Sequence, residues 1–180
     1  MSVGVSERTL RRAWSLGTIR GERPTPHTLR LPVEERFYIR HHWPTLSRLR
    51  QALRTEPAVS LAVVFGSVAR GDDVAGSDVD LLVALRREDL RSRVMLTERL
   101  RERTGLAVEI VSLPDALTRP SLMVEILRDG RVLVDRDGRW PQLHARVERI
   151  RERSEQDRRL RAARAREAAV AFKRRAEAGA

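Results

Sequence analysis

The chain has 180 residues, 41% of them apolar and 34% charged, and contains no cysteine. That length suits one domain with extensions, the charged share exceeds the roughly 25% of an ordinary globular domain, and the missing cysteines exclude a disulfide scaffold and a thiolate zinc site. The net charge of +11 divides into +6 over residues 1–56, −1 over 57–140 and +6 over 141–180, so a near-neutral middle lies between two basic arms. Such arms attract polyanions within about a Debye length, although solvated charged helices account for the same charge equally well. No signal-peptide stretch opens the chain and no run reaches the roughly eighteen apolar residues of a membrane span, so a cytoplasmic protein is expected.

In chain order, Ser6 is a good N-cap and Glu7 suits a first turn. Leu10, Ala13 and Trp14 then recur at helical spacing, and Gly17 closes that helix. Pro24-Thr25-Pro26 reads as a loop. A second helix is expected from Pro32 to Trp43, with Pro44 interrupting it, and a third from Leu46 to Leu53. The period then changes. Val59 to Phe65 is an apolar, β-branched run between Pro57 and Gly66, which predicts a buried strand. Val79 to Leu85 and Ala107 to Leu113 are two more strands, separated by an amphipathic helix over Arg87 to Arg103 that Gly105 ends. Leu117 to Leu127 is expected to be helical, and Arg131 to Val134 to form a fourth strand after the Asp129-Gly130 turn. From Trp140-Pro141 onward one long helix is expected, its apolar stripe (Leu143, Val147, Ile150) fading after Ser154. Three regions follow: a basic helical arm over 1–56, a domain of alternating strands and helices over 57–140, and an Arg-rich C-terminal helix over 141–180.

The segment that carries chemistry runs from Gly66 to Val83. A strand ends in Gly66-Ser67, where a glycine admits close approach of a ligand to the backbone. If a short helix starts at Ser67, its hydroxyl and free first-turn N–H groups face a phosphate. Arg70, one turn on, can support the loop or neutralise phosphate charge. Asp78 and Asp80 are two apart on a strand and so point to one face. Two neighbouring carboxylates repel, and a divalent cation removes the conflict; Mg²⁺ takes one or two carboxylates, waters and phosphate oxygens. Glu109, acidic amid the apolar AVEIVSL strand, joins the same cluster if its strand lies beside that of Asp78. It would then ligate a metal and act as, or assist, the base that activates an attacking hydroxyl. Each piece alone has a plain structural explanation; their order (strand, Gly-Ser turn, short helix, Asp-x-Asp strand, acidic strand) is what makes them informative.

The residues Gly66-Ser-x-Ala-Arg-Gly and Ser77-Asp-x-Asp-Leu-Leu-Val resemble the DNA polymerase beta-like nucleotidyltransferase superfamily. Within it they are most similar to the minimal nucleotidyltransferases, often found in toxin–antitoxin pairs with HEPN partners. The resemblance spans about 57–140 and implies an α+β fold: a small mixed β-sheet flanked by helices. It also implies transfer of a nucleoside monophosphate, usually from ATP, to an acceptor hydroxyl. Gly66 and Ser67 would hold the triphosphate, Asp78 and Asp80 two Mg²⁺ ions, and Glu109 would be the third carboxylate, where aspartate is usual. At the N-terminus, the stretch from Gly4-Val5-Ser6-x-x-Thr9-Leu10-Arg11 to Glu34-Glu35-x-x-Tyr38-Ile39 resembles the recognition helix and wing of MerR-like helix-turn-helix domains, without that motif's first helix, which implies DNA contact within residues 4–31, through Arg8, Arg11 and Arg12.

The acceptor is expected to be macromolecular, a HEPN-type toxin protein or tRNA, because no large second domain is there to enclose a small substrate. The rival expectation is a DNA-binding regulator or antitoxin that uses the fold to sense nucleotide or bind a partner. Three converging carboxylates favour the enzyme. His41 and His42 diverge by about 100° on a helix and cannot chelate one ion alone. Trp14, Trp43 and Trp140 are expected as packing anchors, and the arginines of 151–175 as a solvated helix.

Overall fold

Local signals place the first helix, α1 (Glu7–Leu16): the Thr9 N–H donates to the Ser6 hydroxyl at 3.3 Å, and Gly17 ends the helix at φ 85°, where glycine is at ease. The computed structural model describes residues 4–25 and 28–178, with side chains described as far as residue 169. After α1 comes an antiparallel pair, β1 (Glu22–Thr25) and β2 (Thr28–Arg30). The stretch expected as a loop at Pro24-Thr25 is therefore strand, while Pro26 lies outside the described residues. With only two strands both are edges, and Pro24 costs no interior hydrogen bond. Their side chains are almost all exposed, so no apolar alternation announces them.

The next correction concerns Pro44, which interrupts nothing. A single helix, α2 (Val33–Arg54), runs through it. Proline removes the bond to the carbonyl four residues back. Here Arg40 and Pro44 both lie on the exposed side, where water can meet the carbonyl of Arg40. Ile39, Leu46, Leu49 and Leu53, each no more than 1% exposed, hold both halves of α2 on the core.

The sheet follows. β3 (Val59–Phe65) is buried throughout, α3 (Gly66–Arg70) turns directly off its end, and β4 (Val79–Leu85) returns antiparallel beside it. α4 (Leu90–Thr104), capped by Asp89, crosses over to β5 (Val108–Ser112), which pairs parallel with β4. Two short helices, α5 (Leu113–Leu117) and α6 (Pro120–Asp129), replace the one expected over 117–127. Ser112 caps α5 by accepting from the Asp115 N–H, and Pro120 starts α6 where a missing N–H costs nothing. β6 (Arg131–Asp135) then pairs antiparallel with β3, giving the order β5-β4-β3-β6. The expected helix from Trp140 is in fact two, α7 (Arg139–His144) and α8 (Val147–Ala178). The Arg146 N–H bonds back only three residues, to the Leu143 carbonyl, and this tightened turn separates them. Leu143 is buried by α7, while Val147 and Ile150 pack from α8 on the same cluster. Beyond Gln156 the described side chains of α8 are almost all exposed.

Strand alternation divides the core in two. Ala62, Val64, Leu81 and Val83 face α1, α2 and α4, whereas Leu61, Val63, Leu82, Ala84 and Val132 face α5, α6 and α7. Trp14 and Trp43 pack on the first cluster and Trp140 on the second, as expected of anchors. The expected α+β architecture, a small mixed sheet with flanking helices, is what forms. No helix among the described residues is long and apolar enough to cross a membrane.

Candidate functional site

β3 and β4 bring the Gly-Ser turn and the Asp-x-Asp pair together through register. Phe65 is the Cα partner of Asp80, so Gly66 and Ser67 emerge beside that carboxylate. Gly66 has φ 70°, and a Cβ built on it would lie 2.1 Å from Oδ2 of Asp80. Only glycine fits there without moving the acid, and the two halves of the motif are thus one unit. The helix begins at Gly66, one residue before Ser67, with no side-chain cap at its start. Among the described residues the half-buried Ser67 hydroxyl has no hydrogen-bond partner, while its carbonyl receives the N–H groups of Gly71 and Asp72.

The parallel pairing of β4 with β5 completes the cluster. Asp80 is the Cα partner of Glu109. Both belong, by alternation, to the sheet face that carries Leu82 and Val111. Asp78 stands immediately before the first residue of β4 rather than within it, and is exposed. Burial pushes the Asp80 carboxyl up from its ordinary value, and the charges of Glu109 and then Asp78 push it further, while Arg70 pulls it down. All three acids therefore act on one locus. Arg70 is exposed and donates from Nε to Oδ2 of Asp72 at 3.0 Å. Among the described residues no group of three or more His, Asp or Glu side chains is closed tightly enough to hold an ion by itself. An open set of hard oxygen donors nonetheless suits Mg²⁺, which keeps waters and takes phosphate oxygens for its other positions.

A second set of residues, none of them assigned to this site from the sequence, holds it in place. Glu35, Tyr38 and His42 recur along one side of α2. Oε1 and Oε2 of Glu35 accept from Arg131 at 2.6 and 3.0 Å, and Arg131 Nε donates to the Ala69 carbonyl of α3 at 2.7 Å. The Arg131 guanidinium lies 3.3 Å from the centroid of the Tyr38 ring, and the Tyr38 hydroxyl donates to the Val68 carbonyl at 3.0 Å. Burial pushes the Tyr38 phenol well above its usual range. His42 stacks on Tyr38 at 4.5 Å and meets Oδ1 of Asp73 at 2.7 Å, in the loop that leads to Asp78. Three side chains of one helix thus fix α3 and the loop after it. Glu35 also accepts from the Arg20 N–H at 2.9 Å, which ties the N-terminal arm to the same framework. The legible signal was polar residues at i, i+3 and i+7 on the buried side of α2. His41, by contrast, meets its own helix, at the Phe37 carbonyl.

A family model described as Polymerase beta, Nucleotidyltransferase matches residues 47–139, more than half of the chain. No curated protein matches. A chain in a solved toxin–antitoxin complex with AMP-PNP superposes with a TM-score of 0.56 at 20% identity, over 67% of this chain and 97% of its own. A chain from a tri-AMPylated Shewanella oneidensis HEPN toxin in complex with MNT antitoxin gives 0.54 at 17% identity, over 69% and 98%. One from the MntA–HepT toxin–antitoxin gives 0.52 at 18%, over 67% and 95%. At these identities the likeness is one of fold. The family match begins at residue 47, so it does not reach residues 4–31, where the helix-turn-helix resemblance lies.

Proposed function

This chain belongs to the polymerase beta nucleotidyltransferase family, and from that premise we propose that it transfers AMP from ATP to a hydroxyl on a partner protein, a HEPN-type toxin. The observation that carries this reading is the pairing of Asp80 with Glu109 beside Gly66, with Asp78 close enough to add to the repulsion. A charge cluster of that kind, on a turn shaped by a glycine, is costly unless a cation and an anionic substrate share the site. Two fold neighbours, one solved with AMP-PNP and one in complex with a tri-AMPylated HEPN toxin, support ATP as donor and a toxin as acceptor.

Asp78 and Asp80 are the residues to hold two Mg²⁺ ions, with Glu109 as the third carboxylate. Bound there, the ions supply positive charge for the α-phosphate and the departing pyrophosphate. Gly66 and Ser67 receive the triphosphate: the glycine by leaving room, the serine through a hydroxyl that has no partner among the described residues. Arg70 adds a guanidinium at the rim of the same loop. The acceptor oxygen forms its bond to the α-phosphorus as the bond to the pyrophosphate oxygen breaks, and Glu109 takes the hydroxyl proton. Glutamate reaches one methylene further than aspartate, so the acceptor hydroxyl is met further from the strand.

The test is label transfer. The purified chain, α-³²P-ATP, Mg²⁺ and host lysate or tRNA are incubated beside the Asp78→Asn/Asp80→Asn variant. Label in a protein band with the wild type alone is the expected result. Label in RNA would replace the acceptor class, and no transfer from any NTP would sink the enzyme reading.

A further inference from the structure

The N-terminal arm carries an arrangement that the carboxylate site does not use. α1, the β1–β2 pair and the later part of α2 surround an open cleft of about 570 Å³, lined by Arg11, Arg12, Trp14, Arg23, Leu29 and Arg50 among others. That volume lies within the range of ordinary ligand sites. Its four arginines come from three separate elements, so folding has converged them; they are not the successive residues of one solvated helix face. Arg11 meets Glu7 at 2.6 Å, and the Arg23 guanidinium stands 5.8 Å from the Trp14 ring centroid. The indole N–H of Trp14 donates to the Gly21 carbonyl at 3.0 Å, which fixes the ring as part of the wall.

Arg12 and Arg50 differ from their neighbours. Among the described residues neither has a carboxylate within ion-pair distance. Arg50 is half-buried, and burial, then Arg54, then Arg12 draw its guanidinium below the ordinary value. Like charges brought together beside a half-buried wall repel, and an anion between them removes that cost. Guanidinium is the side chain best shaped to take phosphate oxygens two at a time. Trp14 and Leu29 add apolar surface for whatever bears the phosphate.

We propose that this cleft is a second ligand site, for a phosphate-bearing anion, held by Arg12 and Arg50 with Arg11 and Arg23 at its rim. It is separate from the carboxylates. Arg50 lies eight residues past His42, about 12 Å along α2 at 1.5 Å per residue, and it is His42 and the residues before it that face α3. The proposal does not depend on the transferase reading, and either can fail without the other.

The test uses the full chain with Asp78→Asn/Asp80→Asn, which removes the competing nucleotide site. Binding of a fluorescein-labelled single-stranded oligonucleotide is measured by anisotropy, and that of tripolyphosphate by calorimetry and by competition with the strand, at several salt concentrations. Adding Arg12→Gln/Arg50→Gln is expected to weaken binding at least tenfold. On the strand it lowers the salt slope by about 1.4, for two contacts at about 0.7 each. The α8 arginines are left intact, so they contribute equally to both proteins. The Arg12→Gln/Arg50→Gln chain is expected to melt no lower than its parent, since it loses a repulsion. Oligonucleotide binding that tripolyphosphate cannot displace assigns the phosphate to a nucleic-acid strand, and tripolyphosphate binding alone assigns it to a free polyphosphate. Equal affinity with and without the arginines, or no binding of either probe, overturns the site.

Discussion

Glu35 and Arg131 are 5% and 3% exposed, and they meet each other and backbone groups of Thr18, Arg20 and Ala69. Asp80 is in the opposite condition. It is half-buried against Glu109 and Asp78, with a glycine backbone at its back, and Arg70 opposes the repulsion without outweighing it. Both are charged groups removed from water, and both border α3: Arg131 donates to its Ala69 carbonyl, and Asp80 lies against Gly66 at its start. One has been neutralised within the fold, and the other has been left in need of a counter-charge. A charge that the protein pairs itself holds elements together. A cluster that it leaves unpaired, on a rigid frame, is prepared for something that arrives later.

Breaking the paired region should produce the largest effect. Arg131→Ala strands Glu35 as a buried carboxylate and removes the tie to α3. Chemical denaturation should show a loss of about 3–5 kcal/mol. Gly66→Ala comes next. A φ of 70° and the contact with Asp80 together should lower stability by about 1–3 kcal/mol, and AMP transfer should fall further than that loss explains, because the acid is displaced. His42→Ala removes the hold on Asp73. It should cost about 1 kcal/mol, with a rise in KM for ATP that His42→Gln partly restores. The smallest effect has the opposite sign. Asp80→Asn relieves repulsion and should raise the melting temperature of the metal-free chain by a few degrees, the equivalent of about 1 kcal/mol, while abolishing transfer. A melting temperature that fell instead would mean that Asp80 is held by partners, as Glu35 is.

The difference between the two regions also explains what the sequence made legible. Val59–Phe65 and Val79–Leu85 have the expected bounds because a buried β-branched run between proline and glycine has one reading. The acids at 78, 80 and 109 stood out because carboxylates next to an apolar strand need a reason. The paired region stayed hidden for the converse cause. Glu35 and Arg131 look like surface charges in a chain this rich in both, and only their meeting across 96 residues makes them core. Asp73 and His42, both half-buried, were hidden in the same way, by a contact across 31 residues. Pro44 misled because a proline's cost depends on which side of the helix it occupies, and that is decided by packing. The β1–β2 pair carries no buried face, and so no period, to announce it.

The most direct measurement is a thermal shift with Mg²⁺ and a non-hydrolysable ATP analogue, on the wild type and on Asp78→Asn/Asp80→Asn. At a hundred times the dissociation constant a ligand stabilises by about 2.7 kcal/mol, or roughly 5–10 °C in a chain of this size. The unpaired cluster predicts that shift for the wild type and none for the variant. An equal shift in both would contradict it, and would place the nucleotide somewhere other than against these carboxylates.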